Sequence, residues 1–389
     1  MKLVMTLKIR DEGDVIDANL RFHLAAGVDF FIVTDNGSVD ETPAILERYR
    51  KAGLAQVLEK PADEFYRPNP EWVTDMARLA ATEHGADWVI NNDADEFWWP
   101  LAGDLKAALE SVPERYMAVA APRPEFVARP DGPGAFYERM TIRERLSTVR
   151  PKLAHRAHPG IVAPSGAHRV ALPGAGAPGH RGRPWLRSAV EDTIEAEGWL
   201  TPAPVFPMRI LHYPVRSYDQ YRRRVEISLA GERHTGDKRA QEIYAALKAD
   251  RLEDVYANYA PGDEAVADAI GRGHLVEDTR IRDVIKSCPD FAADPALLAD
   301  RRPLSGGASA DEAAEVAEDG MHALLRSETL SVERLAQVRK ESRRLDKKRK
   351  RLRKQNRRLR RRVRELQATP WRRARKAAGR ALGRAPDAG

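Results

Sequence analysis

Asp87-Trp88-Val89-Ile90-Asn91-Asn92-Asp93-Ala94-Asp95-Glu96-Phe97 takes a short apolar segment straight into three acids within four residues. Trp88–Ile90 reads as a buried strand. Carboxylates this close repel one another, and they are costly to bring near a core unless positive charge compensates them. The usual compensator is a divalent cation held by oxygen ligands and shared with a diphosphate. Asp-x-Asp at the C-terminal end of a strand, where open α/β sheets place their ligands, points to a metal–diphosphate site. A solvated acidic loop is the competing reading, and the surrounding chain decides between the two.

The residues before this stretch alternate strand and helix. Leu3–Lys8 is an apolar run of strand length, and Asp14–Ala26 follows with helical spacing and a stop at Gly27. Phe30-Phe31-Ile32-Val33-Thr34 is β-branched and aromatic and runs into the turn signal Asp35-Asn36-Gly37. Asp40-Glu41-Thr42-Pro43 opens a helix to about Lys51, Leu54–Leu58 reads as a third strand, and Glu71–His84 as a helix. This alternation predicts an α/β fold with a mostly parallel, Rossmann-like sheet and helices on both faces. Residues 112–215 are rich in Pro, Gly and Arg, with short strand candidates at Met117–Ala120 and Met208–Leu211 and a loop over Ala171–Arg183. Helical patterns return from Ser217 to about Lys286, and 301–320 reads as a linker or frayed helix.

With 389 residues, 42% hydrophobic, the chain can bury a sizeable core. The net charge of +7 conceals a split. Of 65 Lys and Arg and 58 Asp and Glu, 24 and 5 fall within 332–389, which leaves 41 basic and 53 acidic residues in 1–331. An acidic body thus carries a basic tail. In the tail Val338, Leu345, Leu352, Leu359 and Leu366 recur at steps of seven, with Leu335, Ser342, Arg349, Asn356 and Val363 three residues before each. That pattern predicts a basic coiled coil over 332–366 and a route to a homodimer, against the alternative of a single solvated helix whose flanking cations oppose pairing. Cys288, the one cysteine, excludes an internal disulfide and a multi-cysteine metal site, and nothing beside it supports a nucleophile. The absence of a long apolar run, and of a signal-like N-terminus, leads us to expect a cytoplasmic protein, peripheral on the inner face of the membrane through its tail.

Four segments in order resemble a known group: Thr6-Leu7-Lys8-Ile9-Arg10-Asp11-Glu12, Phe22-His23 with Gly27-Val28-Asp29, Asp35-Asn36-Gly37-Ser38-Val39-Asp40-Glu41-Thr42, and Asp93-Ala94-Asp95-Glu96-Phe97. Together they resemble the family 2 (inverting) glycosyltransferases, in particular a bacterial subgroup whose acidic motif reads Asp-x-Asp-Glu-Phe. The resemblance covers about residues 1–225 and is strongest in the first hundred. It implies a GT-A fold over 1–225, followed by a helical extension (226–300), the linker (301–331), the coiled coil (332–366) and a basic tail (367–389). It also implies transfer of a sugar from a nucleotide-diphosphate sugar to a hydroxyl acceptor, in cell-envelope polysaccharide or glycoconjugate synthesis, with Mn2+ or Mg2+ as cofactor.

By the same resemblance Arg10, Glu12, Asp35, Ser38 and Asp93 face the nucleotide sugar. Asp95 is the better metal ligand, with Asp93 beside it and Glu96 in support. His212, in Ile210-Leu211-His212-Tyr213-Pro214-Val215-Arg216-Ser217, resembles the family's His-Tyr-Pro-x-Arg-Ser and offers the metal a nitrogen. Ser38 and Asp40 read equally well as helix-capping residues. Arg216 and Arg222-Arg223-Arg224 are candidates to grip a diphosphate or an anionic acceptor, with a solvated helix face as the alternative for the cluster. One departure is Asp11, where the family usually has Asn; both make local backbone bonds. For the base that inverting transfer needs, Asp192 of a Glu191-Asp192 pair and His168 are the leading candidates, with His155 as a third.

Two other functions fit parts of the chain. A nucleic-acid- or polyanion-binding protein would work through the Arg-rich tail, with a non-catalytic nucleotide-binding domain before it. Its acidic body and the lack of a zinc-finger, helix-turn-helix or RNA-recognition signature weigh against this. A nucleotidyltransferase of similar fold would need a glycine- and lysine-rich first loop, which is missing after Leu3–Lys8.

Overall fold

The structure, a computed structural model, describes residues 1–60, 71–129, 132–164, 166–172, 199–230, 238–304 and 306–326, together with 358–359, 362 and 373–379. Residues 1–327 form one compact unit and 328–389 a second. The described residues of the second are helical. The heptad segment 332–366 lies outside the described residues except at 358–359 and 362.

The first unit is built on a six-stranded sheet of order β3-β2-β1-β4-β8-β6. Strands β1 (Leu3–Ile9), β2 (Phe30–Asp35), β3 (Ala55–Glu59) and β4 (Trp88–Asn92) are mutually parallel. Strand β8 (Lys152–Arg156) runs antiparallel between β4 and β6 (Ala118–Ala121). Along β1 the side chains alternate: Leu3, Met5 and Leu7 pack on one face with Leu20, Leu24 and Leu46, from helices α1 (Ile16–Ala25) and α2 (Thr42–Lys51). Val4 and its neighbours Ile32 and Val89 face the other way, onto Val73, Met76, Ala77 and Ala80 of α3 (Glu71–Thr82). Helices therefore cover both faces, which is why β2 and β4 are apolar runs rather than alternating ones. A second small sheet pairs β5 (Glu96–Pro100) with β9 (Met208–His212), and a third pairs β7 (Ile142–Glu144) with β10 (Leu275–Glu277).

Register decides where the polar residues go. Ile9 pairs with Asp35 and Leu7 with Asn92, so β1, β2 and β4 end together. Arg10–Glu12, Asp35 and Asp93–Asp95 leave the sheet along one edge, at its C-terminal side.

The stretch expected to be a helical extension followed by a linker is part of this unit. Strand β10 pairs with β7, and Ile281 and Ile285 enter the main core beside α1. A helix runs over 310–326, which includes half of the stretch read as a linker or frayed helix. Val316 and Ala323 are buried on it, Asp319 accepts bonds from Ser147 N–H (2.7 Å) and Oγ (2.8 Å), and a side chain at Gly320 would run into the Phe206 ring. Ala- and Glu-rich composition serves a packed helix as well as a spacer. The spacing of Val316, Asp319, Gly320 and Ala323 is what sets one face against the core. Among the described residues no helix is long and apolar enough to cross a membrane.

Two core histidines couple this fold to pH. His23 is buried; its Nδ1 lies 2.9 Å from the Asn19 carbonyl and its Nε2 accepts the Trp98 N–H at 3.1 Å. His155 is buried with Nδ1 at 2.9 Å from the Arg156 carbonyl and Nε2 at 3.0 Å from Asn91 Nδ2. Burial pushes the two imidazoles down to about 3 and about 4. Both stay neutral in the fold, while an unfolded chain protonates them below roughly 6.5. Their contribution is therefore complete above roughly pH 6.5 and is lost as the pH falls from there toward 4. Urea midpoints should drop between about pH 7.5 and 5, and the drop should shrink in His155→Gln; an identical pH dependence in that variant would contradict the linkage.

Candidate active site

The Asp93–Glu96 turn is held from three sides. Glu96 N–H bonds the Asp93 carbonyl at 3.2 Å, closing a tight turn between β4 and β5. Asn19, fully buried on α1, donates to the carbonyls of Ala94 (2.8 Å) and Glu96 (2.9 Å). Asn92 accepts from the Trp98 indole at 2.9 Å and donates to the Glu96 carbonyl at 3.0 Å. Such a turn presents Asp93 and Asp95 in fixed positions.

Each acid has a cationic partner. Lys152, buried at the start of β8, places Nζ 2.6 Å from Asp93 Oδ2 and 2.6 Å from Glu96 Oε2. Arg123 closes on Glu96 Oε1 at 2.5 Å. Burial works to raise the Asp93 carboxyl, but Lys152 wins and holds it below its ordinary value. Lys152 in turn is held above its ordinary value: burial opposes this, and the Asp93 and Glu96 charges prevail.

Asp95 faces the other way. Its Oδ1 lies 3.5 Å from His212 Nε2, and its Oδ2 lies 3.7 Å from Arg216 Nη1. Burial again opposes ionisation, yet His212 and then Arg216 hold Asp95 far below the carboxylate range. His212 Nδ1 sits 3.0 Å from Glu125 Oε1. Despite burial the imidazole is raised by Asp95 and Glu125. A carboxylate on Nδ1 orients the ring and leaves Nε2 toward the cavity, the arrangement in which a histidine serves a metal.

Arg216 is the centre of the cluster. Only 1% exposed, it reaches Glu12 Oε2 at 2.6 Å and both Asp14 oxygens, at 2.7 and 2.9 Å, besides Asp95. Burial pushes the Glu12 carboxyl up to about 7; Arg216 counteracts this, and Asp95 and Asp14 add to it.

The first two loops are stitched together beside it. Ser38 Oγ donates to Asp35 Oδ1 (2.5 Å) and accepts the Asp11 N–H (2.9 Å), and Asp11 Oδ1 accepts the Val39 N–H (2.7 Å). Asp40 accepts from Gly13 N–H at 2.9 Å and Thr42 N–H at 3.0 Å. Asp11 has φ +54°, in the left-handed region that Asp and Asn enter more readily than other side chains.

A cavity of about 490 Å³ opens onto these groups; Glu12, Asp93, Asp95 and His212 face it, and Lys8, Arg10, Arg223 and Arg224 bring positive charge to it. That volume lies within the usual range for ligand sites. The sequence-predicted residues Arg10, Glu12, Asp93, Asp95 and His212 are thus brought together. Asp35 and Ser38 bond each other on the adjoining loop and are not among the residues lining the cavity. His168 stands near Asp93 and Lys152, with Nδ1 2.8 Å from the Pro151 carbonyl and burial pushing its imidazole down to about 4. Asp192 lies outside the described residues. His155 is engaged inside the sheet. Arg222 pairs with Glu226 at 2.9 Å on its own helix, whereas Arg223 and Arg224 reach the cavity.

Sequence reading missed Asn19, Asp14, Arg123, Glu125 and Lys152. None of them carried a usable signal: even Lys152 begins a strand that also holds His155 and Arg156. The donor set fits a divalent cation in part. Among the described residues no three His, Cys, Asp or Glu already converge as a cage. Asp95 and His212 instead supply two donors side by side, 3.5 Å apart, as suits Mg2+ or Mn2+, which take one or two carboxylates and complete their shell with water and phosphate.

No family model matches the chain, and no curated protein does. Among solved structures it is similar to S. aureus TarS residues 1–349 (14% identity, TM-score 0.26, 40% of this chain and 47% of that one). It is also similar to glucosyl-3-phosphoglycerate synthase from Mycobacterium tuberculosis in complex with Mn2+, UDP and glucosyl-3-phosphoglycerate (22% identity, TM-score 0.22, 31% of this chain and 44% of that one). The chain thus spans under half the length of either, and at these TM-scores the likeness carries no weight beside the geometry.

Replacing Arg216 by Met should leave the buried Asp95 and the half-buried Glu12 without their shared cation. We expect a loss of about 3–5 kcal/mol in urea unfolding at neutral pH, and a loss below about 1 kcal/mol would show that the carboxylates do not depend on it.

Proposed function

We propose that the chain is a metal-dependent inverting glycosyltransferase of hexosyl type, moving a sugar from a nucleotide-diphosphate sugar to a hydroxyl acceptor in cell-envelope polysaccharide or glycoconjugate synthesis. The observation that carries this reading is the convergence of Glu12, Asp93, Asp95 and His212 at the strand ends, in one cavity to which Lys8, Arg10, Arg223 and Arg224 also contribute. Acids alone would repel a diphosphate, and bases alone would not require a metal; a cavity holding both suits a dication bridging to a diphosphate.

Arg10, Glu12 and Asp93 are assigned to the nucleotide sugar, with Asp35 and Ser38 on the adjoining loop. Asp93, Asp95 and His212 would hold Mn2+ or Mg2+. When bound, the ion offsets the charge of the departing diphosphate. Carboxylates accept ribose or base hydrogen bonds without needing a proton, which fits Glu12 once a cation lowers its pKa. Lys152 and Arg216 keep the turn and first loop in place, so that little reorganisation is needed as charge develops on the leaving group.

The acceptor's proton goes to a base, for which Asp192 and His168 remain the proposed groups. Glu125 joins them, because it lines the cavity with Oε1 on His212. The basic segment 332–389 is proposed to dock on an anionic membrane surface or polymer, and 332–366 to pair as a homodimer.

A thermal shift against UDP-, GDP- and dTDP-sugars, with and without Mn2+, should show metal-linked stabilisation by one donor. Asp95→Asn should abolish that linkage and lower kcat by roughly 10²–10³-fold while the protein stays folded. In the same assay the true base is the one among Asp192→Asn, His168→Gln and Glu125→Gln that loses roughly 10²–10⁴ in kcat with donor binding intact. Unchanged turnover in Asp95→Asn would sink the metal assignment. Deleting 332–389 should preserve turnover but end co-sedimentation with phosphatidylserine vesicles and give a monomer by light scattering; retained vesicle binding would refute the docking role.

A further inference from the structure

The charged cavity does not end at Glu125. A second cavity, of about 320 Å³, opens beside it and shares Glu125, Pro214, Arg224 and Ser228 with it. Its walls differ in kind: Tyr221, Tyr244 and Tyr259 with Val215, Val225 and Ile243. A third cavity, of about 300 Å³, shares Ile243 and Tyr259 with the second and adds Glu242, Val255 and Asn258. The three form a line from the acidic turn outward over the helices Tyr218–Ala230, Lys238–Lys248 and Leu252–Tyr256.

The tyrosines are set by packing. Tyr221 is buried and meets Tyr259 at 5.4 Å and Tyr256 at 5.8 Å between ring centroids, while Tyr244 and Tyr259 stay partly exposed on the cavity wall. Tyrosine offers a flat apolar face and a polar tip. A wall of such faces, ending in Glu125, Arg224 and Ser228, suits a ligand with one apolar face and hydroxyls at its rim. A sugar ring has this form. An alkyl chain would call for a wholly aliphatic channel, without the polar tips that three tyrosines bring.

We infer that the tyrosine-lined cavity is the acceptor subsite and takes the end residue of a carbohydrate chain, with the rest of the chain leading out past Tyr259 and Asn258. Glu125, on the shared wall, stands where the acceptor hydroxyl enters the charged cavity. This inference rests on the glycosyl-transfer reading for the word acceptor; glycan binding by the cavity is tested separately from it.

The test is saturation-transfer NMR and calorimetry on the full chain, with maltotriose, cellotriose, mannotriose and chitotriose as probes and with farnesyl phosphate as the apolar control. At least one trisaccharide should bind, more tightly than its monosaccharide. Tyr259→Ala and Tyr244→Ala should weaken it tenfold or more, with no change in nucleotide-dependent thermal shift. Ile243→Trp, which fills the cavity, should block it even where an alanine variant folds poorly, and Tyr259→Trp should keep it. Binding of no trisaccharide, binding indifferent to Tyr259→Ala and Ile243→Trp, or Tyr259-dependent binding of farnesyl phosphate alone overturns the inference. If a trisaccharide binds through Tyr259 while no nucleotide sugar stabilises the chain, the donor reading fails and the carbohydrate subsite stands.

Discussion

Three carboxylates from different parts of the chain share one cleft because a single guanidinium lies among them. Arg216 bonds Glu12 and Asp14 from the first loop and stands 3.7 Å from Asp95 of the β4–β5 turn. Without it, mutual repulsion and loss of hydration would push these groups apart or force them to protonate. Lys152 plays the same part for Asp93 and Glu96 on the other side of the turn. The cleft is thus held together electrostatically, with cations set between its acids. Burial pushes the Glu12 carboxyl up to about 7, and Arg216 counteracts it.

That balance gives the cleft its chemistry. A site made only of acids would take a cation and little else, and one made only of bases would take any polyanion. Here the acids meet Lys8, Arg10, Arg223 and Arg224 in one cavity. His212 is oriented by Glu125, which turns its other nitrogen toward Asp95, 3.5 Å away. The helices beyond Tyr218 then extend the cleft with aromatic wall, changing its character from ionic to amphipathic within the width of one carboxylate side chain.

The fold around the cleft was largely legible from local pattern. Leu3–Lys8, Phe30–Thr34 and Trp88–Ile90 are apolar on both faces because helices cover both, and such runs announce a parallel sheet without help from their partners. The middle of the chain was not legible for a matching reason. Strand β8 begins with a buried lysine and ends with an arginine, and β7 is Ile142-Arg143-Glu144. Their charges are satisfied by partners far away in sequence, Asp93 for Lys152 and Asp278 for Arg143, so neither segment looks like a strand by itself. The sequence leaves 301–320 open between linker and frayed helix because Ala- and Glu-rich composition fits both, and contact with Ser147 and Phe206 makes a packed helix of 310–326.

The same division holds at the site. Sequence alone determined which acids gather at the strand ends, since Asp93-Ala94-Asp95-Glu96 follows a strand and Glu12 and Asp35 follow or close two others; a strand's end is where a parallel sheet must expose its polar residues. It also marked His212 and Arg216 through their shared segment. Tertiary structure alone decided what each one does. Arg216, expected to hold an anionic ligand, holds the protein's own carboxylates, and Ser38 and Asp40 brace two loops. Asn19, Arg123, Glu125 and Lys152 join the site from positions that no local pattern distinguishes. The physical reason is that backbone periodicity is a short-range property, whereas compensation of a buried charge is satisfied by whichever opposite charge the fold brings near.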